Sequence, residues 1–229
     1  METTSSKEGS IIKSYFAFFD LDHTLISAVS GKELALEAFK RGVMKKSDLL
    51  FALALSLAHK LRLVDPVKAV NKMGRWVKGV TVENIEKLSA EVCEKVLIPS
   101  IYKKSREEII MHKNSNAGLV ILSSTIDRVG KIMSEHLDFD DSICSKLEET
   151  DRILTGRPEG SFCIGEEKAL RLKQYCETNN SKLQNAWYYG DSISDLPALS
   201  IVGHPVCVNP DKKLKSIARG NDWKIFYWK

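Results

Sequence analysis

Residues 16–25 read FAFFDLDHTL, an unbroken apolar run that ends in two carboxylates, Asp20 and Asp22, and a hydroxyl, Thr24. A run of that length and β-favouring content fits a strand buried on both faces, as in a parallel sheet covered by helices above and below. Open α/β sheets bind ligands beyond the carboxyl ends of their strands, which is where the two acids would emerge. Two ionised acids two residues apart repel and add nothing to folding, so their closeness points to a cation between them or to a division of catalytic labour. Taken alone, a turn with a solvated aspartate explains them equally well.

They do not stand alone. Residues 185–197, NAWYYGDSISDLP, repeat the arrangement: a short aromatic run, then a turn carrying Asp191 and Asp195. Four aspartates at the ends of two strand-like segments make an oxygen-only set, the preference of Mg2+ rather than of zinc or copper. Between them, LVILSST brings Ser123 and Ser124 to the end of a third apolar run, and GEEKAL places Lys168 at the start of a helical stretch. A hydroxyl donor and a lysine point charge are groups suited to phosphoryl oxygens. Singly, Ser123 reads as a strand-end turn serine and Lys168 as a solvated helix residue; the ensemble reverses both readings.

With DxDxT at Asp20 to Thr24, the run ending in Ser123, Lys168, and GDxxxD around Asp191 and Asp195, the chain resembles the haloacid dehalogenase superfamily, in particular its phosphoserine-phosphatase-like subfamily IB. The segments TGRPEG and GHPVCVNPDKKLKSIARGNDW are also similar to segments typical of that subfamily. The resemblance implies an α/β fold: a Rossmann-like three-layer core with a parallel sheet and an inserted helical cap of the C1 type. Residues 15–28 and 113–229 would form the core, 29–112 the cap and 1–14 a flexible tail. It implies Asp20 as nucleophile, becoming a transient aspartyl phosphate, and Asp22 as the acid that protonates the leaving alkoxide and then the base that activates water. Mg2+ would be held by the Asp20 carboxylate, the Asp22 backbone carbonyl and Asp191, with Asp195 orienting water at the ion from behind these ligands. Ser123, Ser124 and Lys168 would hold phosphoryl oxygens, and Thr24 would either fix the turn by hydrogen bonding to Asp22 or serve structure alone.

The pattern between the motifs agrees. From Val29 to His112 the apolar residues of KELALEAFKRG, SDLLFALALSLAHKL and TVENIEKLSAEVCEKVL recur at three and four, as helices do, and Gly42 can end the first. Further on, apolar runs at 118–123, 185–190 and 204–208 alternate with helical stretches near 127–137, 166–178 and 211–218, the order of a parallel sheet with right-handed crossovers. Trp223 to Trp228 reads as a terminal strand, and EETDRILTGRPEG as a small hairpin punctuated by Gly156 and Pro158.

Composition narrows the function. The five cysteines are scattered without a CxxC pair, as expected of reduced thiols in a cytoplasmic protein, and METTSSKEGS lacks the apolar core of a secretory signal. The most apolar stretch, Leu49 to Leu57, is too short to span a bilayer and is closed by His59, Lys60 and Arg62. It reads as a buried cap helix, with an exposed face meeting lipid as the alternative. From Val29 to Lys78 eleven Lys or Arg face four Asp or Glu, a net of +7 against +4 for the whole chain. Such a cap would attract phosphate esters, whereas nucleic acid is not expected, because the charge is not interleaved with stacking aromatics.

Within the superfamily, Asp22 argues for an oxygen leaving group, since expelling halide needs no proton. Subfamily members specific for phosphoserine place a glutamate nine residues after the nucleophile, where this chain has Val29. The expected substrate is therefore a small organic phosphate. The alternatives are a lipid phosphate of the phosphatidylglycerophosphate kind, phosphoserine itself, and a non-catalytic phosphate-binding module. Arg75 is a possible contact for a substrate anion. Nothing in the sequence sets an oligomeric state.

Overall fold

A computed structural model describes residues 13–60 and 74–229 of the chain. Most of the expected tail, together with Arg62 and residues 61–73 of the expected cap, lies outside the described residues. Eight helices and eight strands are described: β1 (Phe16–Phe19), α1 (Ser30–Lys40), α2 (Lys46–Lys60), α3 (Val82–Val92), α4 (Lys103–Asn114), β2 (Gly118–Ile126), α5 (Asp127–Leu137), β3 (Asp141–Ser145), β4 (Leu147–Thr150), β5 (Ile153–Pro158), α6 (Glu166–Thr178), β6 (Trp187–Gly190), α7 (Leu196–Ile201), β7 (His204–Val208), α8 (Lys212–Gly220) and β8 (Lys224–Phe226).

Six strands form one sheet in the order β3-β2-β1-β6-β7-β8, every pair parallel. β1 lies in the interior of that sheet, with Phe19 opposite both Ile121 of β2 and Tyr189 of β6. Because successive side chains alternate, the FAFF run serves both faces. Ala17 and Phe19, with Leu119, Ile121, Tyr189 and Val206, pack with Ile109 of α4 and Val129 and Met133 of α5. Phe16 and Phe18, with Val120, Leu122, Tyr188 and Cys207, pack with Leu172 of α6, Leu199 of α7 and Leu214 of α8. The result is the three-layer α/β core that the apolar run requires. Gly118 permits the β1–β2 register, since a Cβ there would run into the Phe16 ring. The edge strand β3, DSICS, is too polar to read as a strand from sequence and forms by pairing with β2.

Between β1 and β2 the chain is helical as expected. In α1, Leu34, Ala35 and Ala38 are buried, and Gly42 follows the helix at φ +70°, a conformation glycine adopts without strain. The apolar helix α2 divides its residues: Ala52 and Leu55 are buried, while Leu50 and Phe51 are 58% and 47% exposed. Part of this segment is therefore buried, and part presents apolar side chains at the surface. No described helix is long and apolar enough to cross a membrane. α3 runs on through a π-turn (Cys93–Leu97) into a 3-10 turn at Ile98–Ser100.

Two features join this insertion to the core. The hairpin β4–β5 forms where turn residues anticipated it, and its second strand docks on residues 79–82. The Gly79 amide donates to Leu154 O at 2.9 Å, the Leu154 amide to Val80 O at 2.9 Å and the Val82 amide to Arg152 O at 3.0 Å. α4, placed by the sequence reading in the insertion as far as residue 112, lies against the sheet. Its His112 is fully buried, with Nε2 2.8 Å from Tyr189 Oη and Nδ1 2.9 Å from Tyr15 Oη. Tyr189 donates to Glu108 at 2.8 Å, so His112 must donate through Nε2 and accept from Tyr15 at Nδ1.

Burial, assisted by His204, pushes His112 down to about 4 from an ordinary 6.5. A group depressed in the folded state contributes stability that is present above the unfolded value and lost as pH falls toward the folded one. His112→Gln is expected to cost roughly 1–3 kcal/mol at pH 8 through the lost buried hydrogen bonds. The gap to wild type should narrow between pH 6.5 and 4 in denaturant titrations, and a gap independent of pH would contradict the assignment of a neutral, buried imidazole.

Candidate functional site

Asp20 follows directly on β1, and its amide donates to Tyr189 O at 2.9 Å, carrying the β1–β6 pairing one residue past the strand. The chain then turns sharply. Leu25 and Ile26 amides both donate to Leu21 O, at 2.9 and 3.1 Å, and Leu21, Leu25 and Ile26 are fully buried, which anchors the turn from below. His23 takes φ +58° and is exposed.

At the carboxyl end of β6, Gly190 lets the second acidic turn fold back, because a Cβ there would meet Asp195 Cβ at 2.7 Å. Asp195 is fully buried and saturated. Its Oδ1 takes Lys168 Nζ at 2.6 Å and Tyr188 Oη at 2.7 Å, and its Oδ2 takes the amides of Asp191 and Ser192 at 3.2 and 3.1 Å and Ser192 Oγ at 3.1 Å. Lys168, on α6 and only 2% exposed, also reaches Asp20 Oδ1 at 2.9 Å and Tyr188 Oη at 3.1 Å. Lys168 Nζ thus hydrogen-bonds to Asp195 and Tyr188 and ion-pairs with Asp20. The two motif acids farthest apart in sequence are bridged by one cation.

The charges are unbalanced. Burial pushes Asp20 up, opposed by Lys168 and by hydrogen bonds from Lys168 and Ser123. Burial, then Asp195 and Asp20, holds Asp191 well above the carboxylate range. Burial works against the charge of Asp195 as well, yet Lys168, Tyr188 and Ser192 hold it below its ordinary value. Four aspartates therefore meet one buried lysine.

That surplus of anionic oxygen fits a hard divalent cation. Asp20, Asp191 and Asp195 each offer a carboxylate oxygen, all within 4.8 Å of one another, and Asp20 Oδ1 is buried with no hydrogen bond beyond its ion pair. Since both oxygens of Asp195 are already engaged, Asp20 and Asp191 have the free lone pairs.

Asp22 stands apart, facing α1. Its Oδ1 accepts the Ser30 amide at 2.9 Å, and its Oδ2 lies 3.0 Å from Ser30 Oγ, itself 2.8 Å from Thr125 Oγ1. Ser30 has one hydroxyl proton, so Thr125 donating to Ser30 and Ser30 to Asp22 satisfies the chain. Burial raises Asp22 to about 7, outweighing the Ser30 hydrogen bonds.

The remaining expected residues divide. Ser123 is buried beside Asp20, and Ser124, half-buried, shares with Asp22 a cavity of about 220 Å³. Thr24 is fully buried, but its hydroxyl has no partner among the described residues, so the anticipated hydrogen bond to Asp22 is not formed. Asp22 is instead turned toward Ser30. Arg75 is not brought to the aspartates. It lines an adjoining groove of about 1210 Å³ with Phe51, Lys78 and Arg157, which shares Ala52 and Trp76 with the cavity at Asp22; in the short turn Gly74–Val77, Val77 is buried and Arg75 exposed. Ser30, Thr125 and Tyr188 were not anticipated. A serine opening a helical pattern signals Ser30, whereas nothing in WYYG separates Tyr188 from a core aromatic.

Residues 17–200 match the family described as haloacid dehalogenase-like hydrolase. The chain is 27% identical over 213 residues to phosphoserine phosphatase SerB1 of Mycobacterium tuberculosis, covering 91% of this chain and 69% of that protein. It is 25% identical over 224 residues to a histidinol-phosphatase of Neisseria meningitidis serogroup C, covering 93% and 98%. Among solved structures, a Bordetella pertussis protein of unknown function superposes with a TM-score of 0.80 at 23% identity, over 93% of this chain and 98% of that one. A phospho-aspartyl intermediate analogue of phosphoserine phosphatase gives 0.72 at 19% identity, over 95% and 94%.

A carboxyl group raised in the folded state contributes stability that is complete below its unfolded value, here 3.8, and is lost as pH rises through about 7. Without divalent cation, Asp22→Asn should therefore be more stable than wild type at pH 8 by about 1–3 kcal/mol. Thermal melts should show that advantage shrinking as pH falls toward 4, and an advantage that grows on acidification would refute a buried, neutral-prone Asp22.

Proposed function

The chain belongs to the haloacid dehalogenase-like hydrolase family, and from that premise we propose that it is a Mg2+-dependent phosphomonoester hydrolase acting through an aspartyl phosphate on Asp20. The observation that carries this reading is the division of the two DxD carboxylates. Asp20 is ion-paired to Lys168 at 2.9 Å, which opposes the upward push of burial on its carboxyl, while Asp22 is hydrogen-bonded to Ser30 away from that cation and pushed to about 7. One is suited to attack and the other to carry a proton.

Asp20 attacks phosphorus in line with the departing oxygen. Asp22 gives its proton to the leaving alkoxide and then, as carboxylate, takes one from the water that opens the acyl phosphate. Ser123 and Ser124 hold phosphoryl oxygens. Lys168 lowers the repulsion between the attacking carboxylate and the phosphate dianion, while its grip on Asp195 and Tyr188 fixes its position. Mg2+, held by the Asp20 and Asp191 carboxylates and the Asp22 backbone carbonyl, would supply the remaining positive charge at the phosphoryl group.

The substrate class under this reading is a small organic phosphate, as the names of the phosphoserine and histidinol phosphatase relatives support. A cytoplasmic location is part of it, consistent with five free, buried cysteines. The exposed Leu50 and Phe51 favour a second reading, a lipid phosphate. That alternative requires short-chain lipid phosphates to be turned over better than water-soluble monoesters of equal charge.

Hydrolysis of p-nitrophenyl phosphate should require Mg2+ and fall by at least about a thousandfold in Asp20→Asn. In single-turnover measurements Asp22→Asn should slow phosphorylation of Asp20 by alkyl phosphates by about 100-fold or more, yet spare the p-nitrophenol burst, whose leaving group departs without a proton; steady-state turnover should fall for both, because the same residue activates the hydrolytic water. Equal losses on both esters in the phosphorylation step would remove Asp22 from the acid role, and Mg2+-independent turnover would remove the metal.

A further inference from the structure

The cavity that adjoins Asp22 shows what kind of alcohol can leave. It touches the site through Asp22, Ser30, Ser124 and Thr125, while Asp20, Lys168 and Asp191 do not line it, so it lies on the acid's side and not on the nucleophile's. Its far wall is apolar: Val29, Leu34 and Ala35 from the start of α1, Trp76 and Ile85 from the insertion, and Phe162 from the core. Its one cation among the described residues, Lys32, is exposed and paired with its neighbour Glu33 at 3.3 Å. Apart from Asp22, no described carboxylate lines it.

A substrate ammonium entering this space would lose its hydration and meet no carboxylate among the described residues except Asp22, which costs several kcal/mol; an apolar chain of the same size would gain by entry. The volume, about 220 Å³, suits a small group. Building on the phosphatase reading, we infer that this cavity is the leaving-group site and that the enzyme selects monophosphates of small, uncharged, largely apolar alcohols over amino-acid phosphates.

The test is a series of ethyl, butyl and hexyl phosphate against O-phospho-L-serine, whose leaving alcohols all need a proton. On the wild-type protein with Mg2+, kcat/KM should rise about fourfold per added methylene and level off as the cavity fills, with O-phospho-L-serine at or below ethyl phosphate. Val29→Glu, which installs a carboxylate in the wall, should raise phosphoserine turnover and lower that of butyl phosphate, shifting their ratio by about 100-fold. A flat alkyl series, or phosphoserine above butyl phosphate in the wild type, overturns the inference while leaving the phosphatase reading intact. If no ester is turned over, including p-nitrophenyl phosphate, the phosphatase reading fails. Calorimetric binding of the same series to Asp20→Asn then decides the cavity separately: affinity rising with chain length supports it and equal affinities overturn it.

Discussion

A single ammonium group holds the candidate site together. Lys168 Nζ meets Asp20, Asp195 and Tyr188 within 3.1 Å, and these come from the ends of β1 and β6 and the turn after β6. Removing its charge would leave carboxylates facing one another in a buried setting, where such repulsion is expensive. Its position depends in turn on α6 packing through Leu172 and Cys176 against the face of the sheet that carries Phe18 and Tyr188. Core packing and site electrostatics are therefore one construction.

The sheet order gives that construction its reach. β1 sits between β2 and β6, so the ends of β1 and β6 lie beside the second half of β2 and bring Asp20, Asp191 and Ser123 together from positions far apart in the chain. The inserted helices then set what lies above. Ser30, at the start of α1, turns Asp22 away from the metal-fitting trio, and the hydrogen bonds between β5 and residues 79–82 tie the insertion to the core. A proton-carrying carboxyl and a metal-fitting carboxylate two residues apart are kept distinct by different neighbours.

The sequence determined a good deal by itself. The FAFF run demanded a strand buried on both faces, the alternation downstream demanded a parallel α/β core, and GDSISD with DLDHTL announced an acidic site at its edge. These were legible because apolar periodicity and strand-end acids are local properties. Only the tertiary structure decided the rest. Tyr188 looks like any core aromatic until Lys168 and Asp195 are seen at its hydroxyl, and DSICS becomes a strand only because β2 offers it an edge. The orientation of Arg75 away from the aspartates, the unbonded hydroxyl of Thr24 and the Thr125–Ser30–Asp22 chain all depend on which groups arrive from elsewhere. Side-chain hydrogen bonds and buried charges are settled by neighbours distant in sequence, and no local pattern encodes them.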